Sequence, residues 1–321
     1  MHYDVFNGDA DGIIALLQLR LADPRKSCLV TGVKRDIQLV SHVEREQDVT
    51  SVTILDLSMD KNKAALLNLL AREIPVFYCD HHQAGDIPCS PHLDSLINLD
   101  AEVCTSLLIN QKLKGRFVTW AIAAAFGDNL HAHANRLAQS QGLSREDTDF
   151  LCELGTLINY NGYGATLNDL HIFPTVLYQE LLDYQDPFNL RNDPQSPFYL
   201  LKQGYRDDYH HLEQLVPIHQ SSSCKVFELP DKAWARRISG VFGNELANQS
   251  PSLAHAVLTL NPNQQDYTVS VRAPLSDRLG ADEICRQFPT GGGRKAAAGI
   301  NALPKVSKSA FIRQLEAYYL K

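Results

Sequence analysis

The feature that most constrains this chain is an alternation near its start, where short apolar runs of strand length recur between stretches with helical spacing. The runs "YDVFN", "SCLVTGV", "SVTILDL", "IPVFYCD" and "SLINLD" are rich in Val, Ile, Leu and aromatics. Between them, "GIIALLQLRLAD" and "KNKAALLNLLARE" repeat their apolar residues at helix intervals. This order predicts an α/β fold built on a parallel sheet with helices on both faces. In such sheets ligands bind beyond the carboxyl ends of the strands.

From Phe117 to Tyr184 the pattern is mainly helical, and "QDPFNLRNDPQSPFY" then breaks it with Pro, Asn and Asp, as an interdomain connection does. After Ser221–Ser223 a second alternation begins with "CKVFEL", "AWARRISGVFGNELAN", "HAVLTL" and "YTVSVRA". It continues through a helix around "GADEICRQF", a Gly-rich turn and "SKSAFIRQLEAYYLK". At 321 residues the chain exceeds what one core usually holds. The expected organisation is a parallel-sheet domain over residues 1–188, a connection over 189–222 and a smaller α/β domain over 223–321.

A formal charge of −7 argues against an open surface for long duplex nucleic acid and leaves room for a short anionic ligand. The seven cysteines form an odd set without a CxxC pair, which weighs against a zinc ribbon or a disulfide framework and fits a reducing cytoplasm. No apolar run approaches a membrane span.

The polar residues gather where strands end. "NGDADGIIAL" sets Asp9 and Asp11 two residues apart before a helix; they can cap that helix, or offer oxygen ligands to a divalent cation such as Mg²⁺ or Mn²⁺. Asp56 ends the strand in "ILDLSMD", and Asp80-His81-His82 ends the strand in "VFYCDHH". Adjacent strand residues point to opposite faces, so His81 and His82 cannot share one core. A division of labour follows, with one imidazole for a metal, one for a phosphate, and Asp80 fixing a ring tautomer. Asp128 closes the alanine-rich helix in "AAAFGDN". In "FPTGGGRKAAAGIN" the glycines Gly291, Gly292 and Gly293 expose backbone N–H groups beside Arg294, a cradle for phosphate or base, with a flexible hairpin as the plain alternative. Arg272, in a strand pattern, can clamp an anion.

Taken in order, "GDADG", "LDLS", "DHH", "FGDN" and "GGGRKAAAG" closely resemble the DHH phosphoesterase family with its DHH-associated C-terminal domain, across nearly the whole chain. That resemblance implies two α/β domains with the active site in the cleft between them. It also implies two Mn²⁺ ions, with Mg²⁺ or another divalent ion as the alternative. It gives Asp9, Asp11, Asp56, His82 and Asp128 to the metals, with Asp56 as the bridge, and His81 to the scissile phosphate. The catalytic group is then His81, His82 and Asp80, while Arg272 and Gly291–Arg294 hold the rest of the substrate. This chain differs in carrying Val5 and Asn7 where many relatives have His or Asp, and Arg294 where short-oligonucleotide enzymes usually have His.

Two cations about 4 Å apart activate water and stabilise both oxygens of an in-line displacement at phosphorus. The chain has neither a nucleophile elbow nor a Walker loop to suggest other chemistry. The expected activity is hydrolysis of short linear 5′-phosphorylated dinucleotides such as pGpG, with Arg294 as a donor to guanine. Exopolyphosphatase or cyclic-dinucleotide phosphodiesterase activity is the enzymatic alternative, and a non-catalytic nucleotide-binding regulator the other. Self-assembly, if any, is expected as a homodimer.

Overall fold

The computed structural model describes residues 1–320. The chain divides into two compact units, Met1–Gly204 and Tyr205 onward. In the first, strand β1 (His2–Phe6) leads into helix α1 (Ala10–Ala22), followed by β2 (Cys28–Val30), β3 (Ser51–Leu55), α2 (Met59–Ala71), β4 (Val76–Asp80) and β5 (Leu93–Ile97). All five expected strands are present, and they form one sheet in the order β2-β1-β3-β4-β5 with every pairing parallel.

The chain moves outward from β1 to β2 and then returns to the other side of β1 as β3. That reversal makes the β1/β3 boundary the switch point at which doubly wound sheets bind ligands. Burial explains why the strands read as nearly continuous apolar runs: Val5, Ile54 and Tyr78 from the sheet pack with Leu66 and Leu69 of α2 in one core.

Helices α3 (Thr105–Lys112), α4 (Val118–Gly127), α5 (His131–Ser140), α6 (Arg145–Asn161) and α7 (Pro174–Leu181) follow. The stretch that reads as continuously helical is broken between α4 and α5, where Asn129 adopts a left-handed φ of 62°. Helix α4 is fully buried from Ala121 to Ala125. Its approach to α6 is so close that a Cβ on Gly155 would lie 1.8 Å from the Ala123 carbonyl oxygen. This contact requires glycine, and it fixes the end of α4, where Asp128 is the C-cap residue.

The stretch 189–222 has structure of its own. A 3₁₀ helix runs Pro187–Asn192, and α8 (Pro197–His210) passes through the boundary between the units. The second unit holds β6 (His219–Gln220), β7 (Cys224–Leu229), α9 (Ala233–Gln249), β8 (Ala254–Leu260), β9 (Asp266–Arg272), α10 (Ala281–Cys285), β10 (Gly291–Gly293), β11 (Ala297–Pro304) and α11 (Lys308–Tyr319). Its sheet is mixed, in the order β10-β11-β9-β8-β7-β6. Only β7 and β8, which α9 connects, run parallel. Val226, Leu258, Val269 and Ile300 pack there with Phe311 and Leu315 of α11.

The glycine-rich segment is a strand rather than an open turn: Gly291–Gly293 pairs with Ala298–Ile300, and the turn falls at Arg294–Ala297. Among the described residues no helix is long and apolar enough to cross a membrane.

Candidate metal centre

The segments that follow β1, β3 and β4 bring their polar residues to one rim of the parallel sheet, as the strand order demands. Asp9 caps α1, its Oδ1 accepting from the backbone N–H groups of Asp11 and Gly12 at 3.1 Å. Asp11 turns toward α3, where the N–H groups of Thr105 and Ser106 each donate to one of its oxygens at 2.7 Å. A helix N-terminus thus fixes the carboxylate and favours its negative charge. Asp56 follows β3 with a left-handed φ of 58° and accepts from the Thr105 hydroxyl at 3.2 Å. Aspartate tolerates that conformation better than most residues.

The two histidines are oriented by different acceptors. A carbonyl oxygen can only accept, so His81 Nδ1 donates to the Val103 carbonyl at 2.9 Å and turns Nε2 toward the carboxylates. That Nε2 is buried without a hydrogen-bond partner. It faces Asp56 Oδ1 at 3.4 Å and Asp11 Oδ2 and Asp128 Oδ2 at 3.8 Å each. His82 donates from Nδ1 to Asp80 Oδ1 at 2.8 Å and lies 3.7 Å from Asp56 Oδ1. The ring that faces three carboxylates is therefore His81, and the ring held by Asp80 is His82.

These separations suit a shared cation better than shared protons. Hydrogen bonds close to about 2.7–3.2 Å, whereas two ligands each about 2.1 Å from one ion lie roughly 3–4 Å apart. Asp56, His81 and His82 can bring ligand atoms within 4.8 Å of one another. A buried, unpartnered imidazole nitrogen among carboxylate oxygens fits a divalent ion.

Electrostatics points the same way. Burial, then the neighbouring Asp11, Asp9, Asp80 and Asp128, push the Asp56 carboxyl well above the usual range. Asp9 moves oppositely: burial resists its ionisation, but the Lys34 ammonium at 2.5 Å and the Gly12 N–H outweigh burial and hold it at about 2.

Asp9, Asp11, Asp56, Asp80, His81, His82 and Asp128 all belong to the first unit. Arg272 and Gly291–Arg294 belong to the second, close to each other because Ala297 pairs with Arg272 across β11 and β9. The Arg272 guanidinium is already engaged, donating to Asn244 Oδ1 at 2.6 Å and Ser270 Oγ at 2.8 Å, whereas Arg294 is exposed. Sequence reading misses Lys34, Thr105, Ser106 and Asn159. Lys34 follows β2 by four residues, and its position just beyond a strand end was the available signal. Nothing local marks the other three.

Neither a protein-family model nor a curated protein sequence matches the chain. Solved structures do. An exonuclease RecJ bound to manganese is 17% identical at a TM-score of 0.62, over 100% of this chain and 90% of that one. PggH from Vibrio cholerae, a pGpG-specific phosphodiesterase, is 14% identical at a TM-score of 0.59, over 99% of both chains. An exopolyphosphatase-related protein from Bacteroides fragilis is 11% identical at a TM-score of 0.50, over 99% of this chain and 92% of that one. The five-stranded parallel sheet and the separate mixed sheet give this chain the fold that these solved structures share.

Proposed function

We propose that this chain is a divalent-cation-dependent phosphodiesterase that hydrolyses short linear 5′-phosphorylated oligonucleotides, with pGpG as the best substrate. The observation that carries the proposal is the buried, unpartnered Nε2 of His81 among Asp11, Asp56 and Asp128 at the switch point of the sheet. We assign those four residues to the metal, Mn²⁺ first. A divalent ion there supplies Lewis-acid activation of water and neutralises charge at phosphorus. Asp80 orients the His82 ring through Nδ1, and we assign its Nε2 edge to the scissile phosphate, where an N–H would have to donate to a phosphate oxygen. This assignment exchanges the two histidine roles that the family resemblance implies.

Water adds to phosphorus, the bond to the 3′ oxygen breaks, that oxygen takes a proton, and two 5′-mononucleotides result. The preference for short substrates is supported by the net charge of −7 and by likeness to PggH along the full length of both chains. Arg272, Gly291, Gly292, Gly293 and Arg294 are the proposed substrate-holding groups. All seven cysteines are free thiols, which supports a cytoplasmic setting.

Likeness to an exopolyphosphatase-related protein supports a second reading, polyphosphate as substrate. Incubation with Mn²⁺ and a panel of pGpG, pApA, longer oligoribonucleotides, cyclic dinucleotides and polyphosphate separates them. Mononucleotides from dinucleotides are expected; phosphate released from polyphosphate alone would replace the first reading with the second.

A further inference from the structure

One cation in the cluster belongs to the chain itself. Lys34 Nζ donates to Asp9 Oδ2 at 2.5 Å and to Asn159 Oδ1 at 2.8 Å, and lies 5.4 Å from the centre of the Tyr163 ring. Its side chain is only 24% exposed. The backbone is held as firmly: the Lys34 N–H donates to the Gly162 carbonyl at 2.8 Å, and Asn7 Nδ2 donates to the Lys34 carbonyl at 3.3 Å.

The contact surface beneath that segment leaves no room for adjustment. A Cβ on Gly8 would fall 1.9 Å from the Gly32 carbonyl oxygen, and one on Gly162 would fall 2.9 Å from the Gly8 carbonyl oxygen. Three segments of chain therefore meet at glycines to bring Lys34 against Asp9. A surface lysine that happens to meet a carboxylate needs none of this.

The donor set is consequently divided. Asp9 Oδ2 accepts from the Lys34 ammonium, a charge that repels a further cation there, whereas the oxygens of Asp11 accept from neutral backbone N–H groups. On the other side, His81 Nε2 faces Asp11, Asp56 and Asp128, and among the described residues no lysine or arginine is paired with these three carboxylates. We infer that Lys34 is a resident cation that occupies Asp9, so that the centre takes one divalent ion, at Asp11, Asp56, Asp128 and His81, instead of the two that the family resemblance implies. The inference rests on the metal-centre reading above. An ammonium costs no metal to retain, and it keeps a positive charge beside the reacting phosphate whatever the metal supply.

The test is stoichiometry. Chelator-stripped full-length protein is titrated with Mn²⁺, free ion being read by electron paramagnetic resonance. Wild type is expected to saturate at one ion per chain, Lys34→Met at two, and Asp9→Asn still at one. Two ions on wild type, one on Lys34→Met, or none on Asp9→Asn would overturn the inference while leaving the metal centre intact. No binding by wild type would overturn the metal centre and this inference together. The wild-type count stands even if Lys34→Met does not fold.

Discussion

His81 Nε2 and Asp56 Oδ1 face each other across 3.4 Å in a buried site, while the opposite edge of the imidazole donates from Nδ1 to the Val103 carbonyl. A divalent ion between them would take both atoms as ligands. His81→Gln keeps a polar side chain but moves the donor atom. Its affinity for Mn²⁺ is expected to fall by at least about 100-fold, beyond the effect of losing an outer-sphere partner. The apo protein should melt within a few degrees of wild type. Calorimetric titration showing unchanged affinity would remove His81 from the metal.

Asp56 makes a prediction of opposite sign for the metal-free and metal-loaded protein. Burial and then the carboxylates of Asp11, Asp9, Asp80 and Asp128 raise its folded-state pKa well above that of the unfolded chain. Its protonated form is compatible with the fold, so the metal-free protein is expected to lose stability as pH rises above about 4, where the unfolded carboxyl ionises. Asp56→Asn removes that charge. Without metal at pH 8 it should be more stable than wild type, by about 1–3 kcal/mol, and with Mn²⁺ the order should reverse. Thermal melts at pH 6 and pH 8, with chelator and with Mn²⁺, check both signs.

Midway along β1, Asp4 anchors a buried polar network whose partners are His2, Arg20 and Ser27 and not the proposed metal ligands. Arg20 Nε donates to Asp4 Oδ2 at 2.9 Å and Ser27 Oγ donates to the same oxygen at 2.6 Å, while His2 Nε2 lies 3.1 Å from Oδ1. Burial opposes ionisation of Asp4, but these partners outweigh it and hold the pKa at about 2. A depressed carboxyl stabilises the fold above its unfolded pKa, and that stabilisation is lost as pH falls from about 4 to about 2. Asp4→Asn strands the buried guanidinium and is expected to cost about 3–5 kcal/mol at pH 7. It should also flatten the acid limb of the stability curve without changing Mn²⁺ affinity. A retained acid limb would place the titration elsewhere.

The sequence is most informative where periodicity and strand ends coincide. Every strand of the parallel sheet shows in its apolar run, and Asp9, Asp11, Asp56 and Asp80 to His82 are visible because strand ends of such a sheet converge. What stays hidden depends on three-dimensional hydrogen bonding. Nothing in "DHH" says which ring donates to Val103 and which to Asp80. Thr105 and Ser106 meet Asp11 through backbone N–H groups, which any residue type could supply. The strand Gly291–Gly293 is masked because three glycines carry no β-propensity and owe their conformation to pairing with β11.

The measurement that bears most directly on the proposed function is the release of mononucleotide from pGpG by chelator-stripped wild-type protein, before and after Mn²⁺ is restored, with Asp56→Asn beside it. The expected result is GMP as the product, formed only with the ion and lost by at least about 10³-fold in the variant, since several kcal/mol of transition-state stabilisation would go with the ligand. Turnover that survives without the ion, or an Asp56→Asn variant as active as wild type, would contradict it.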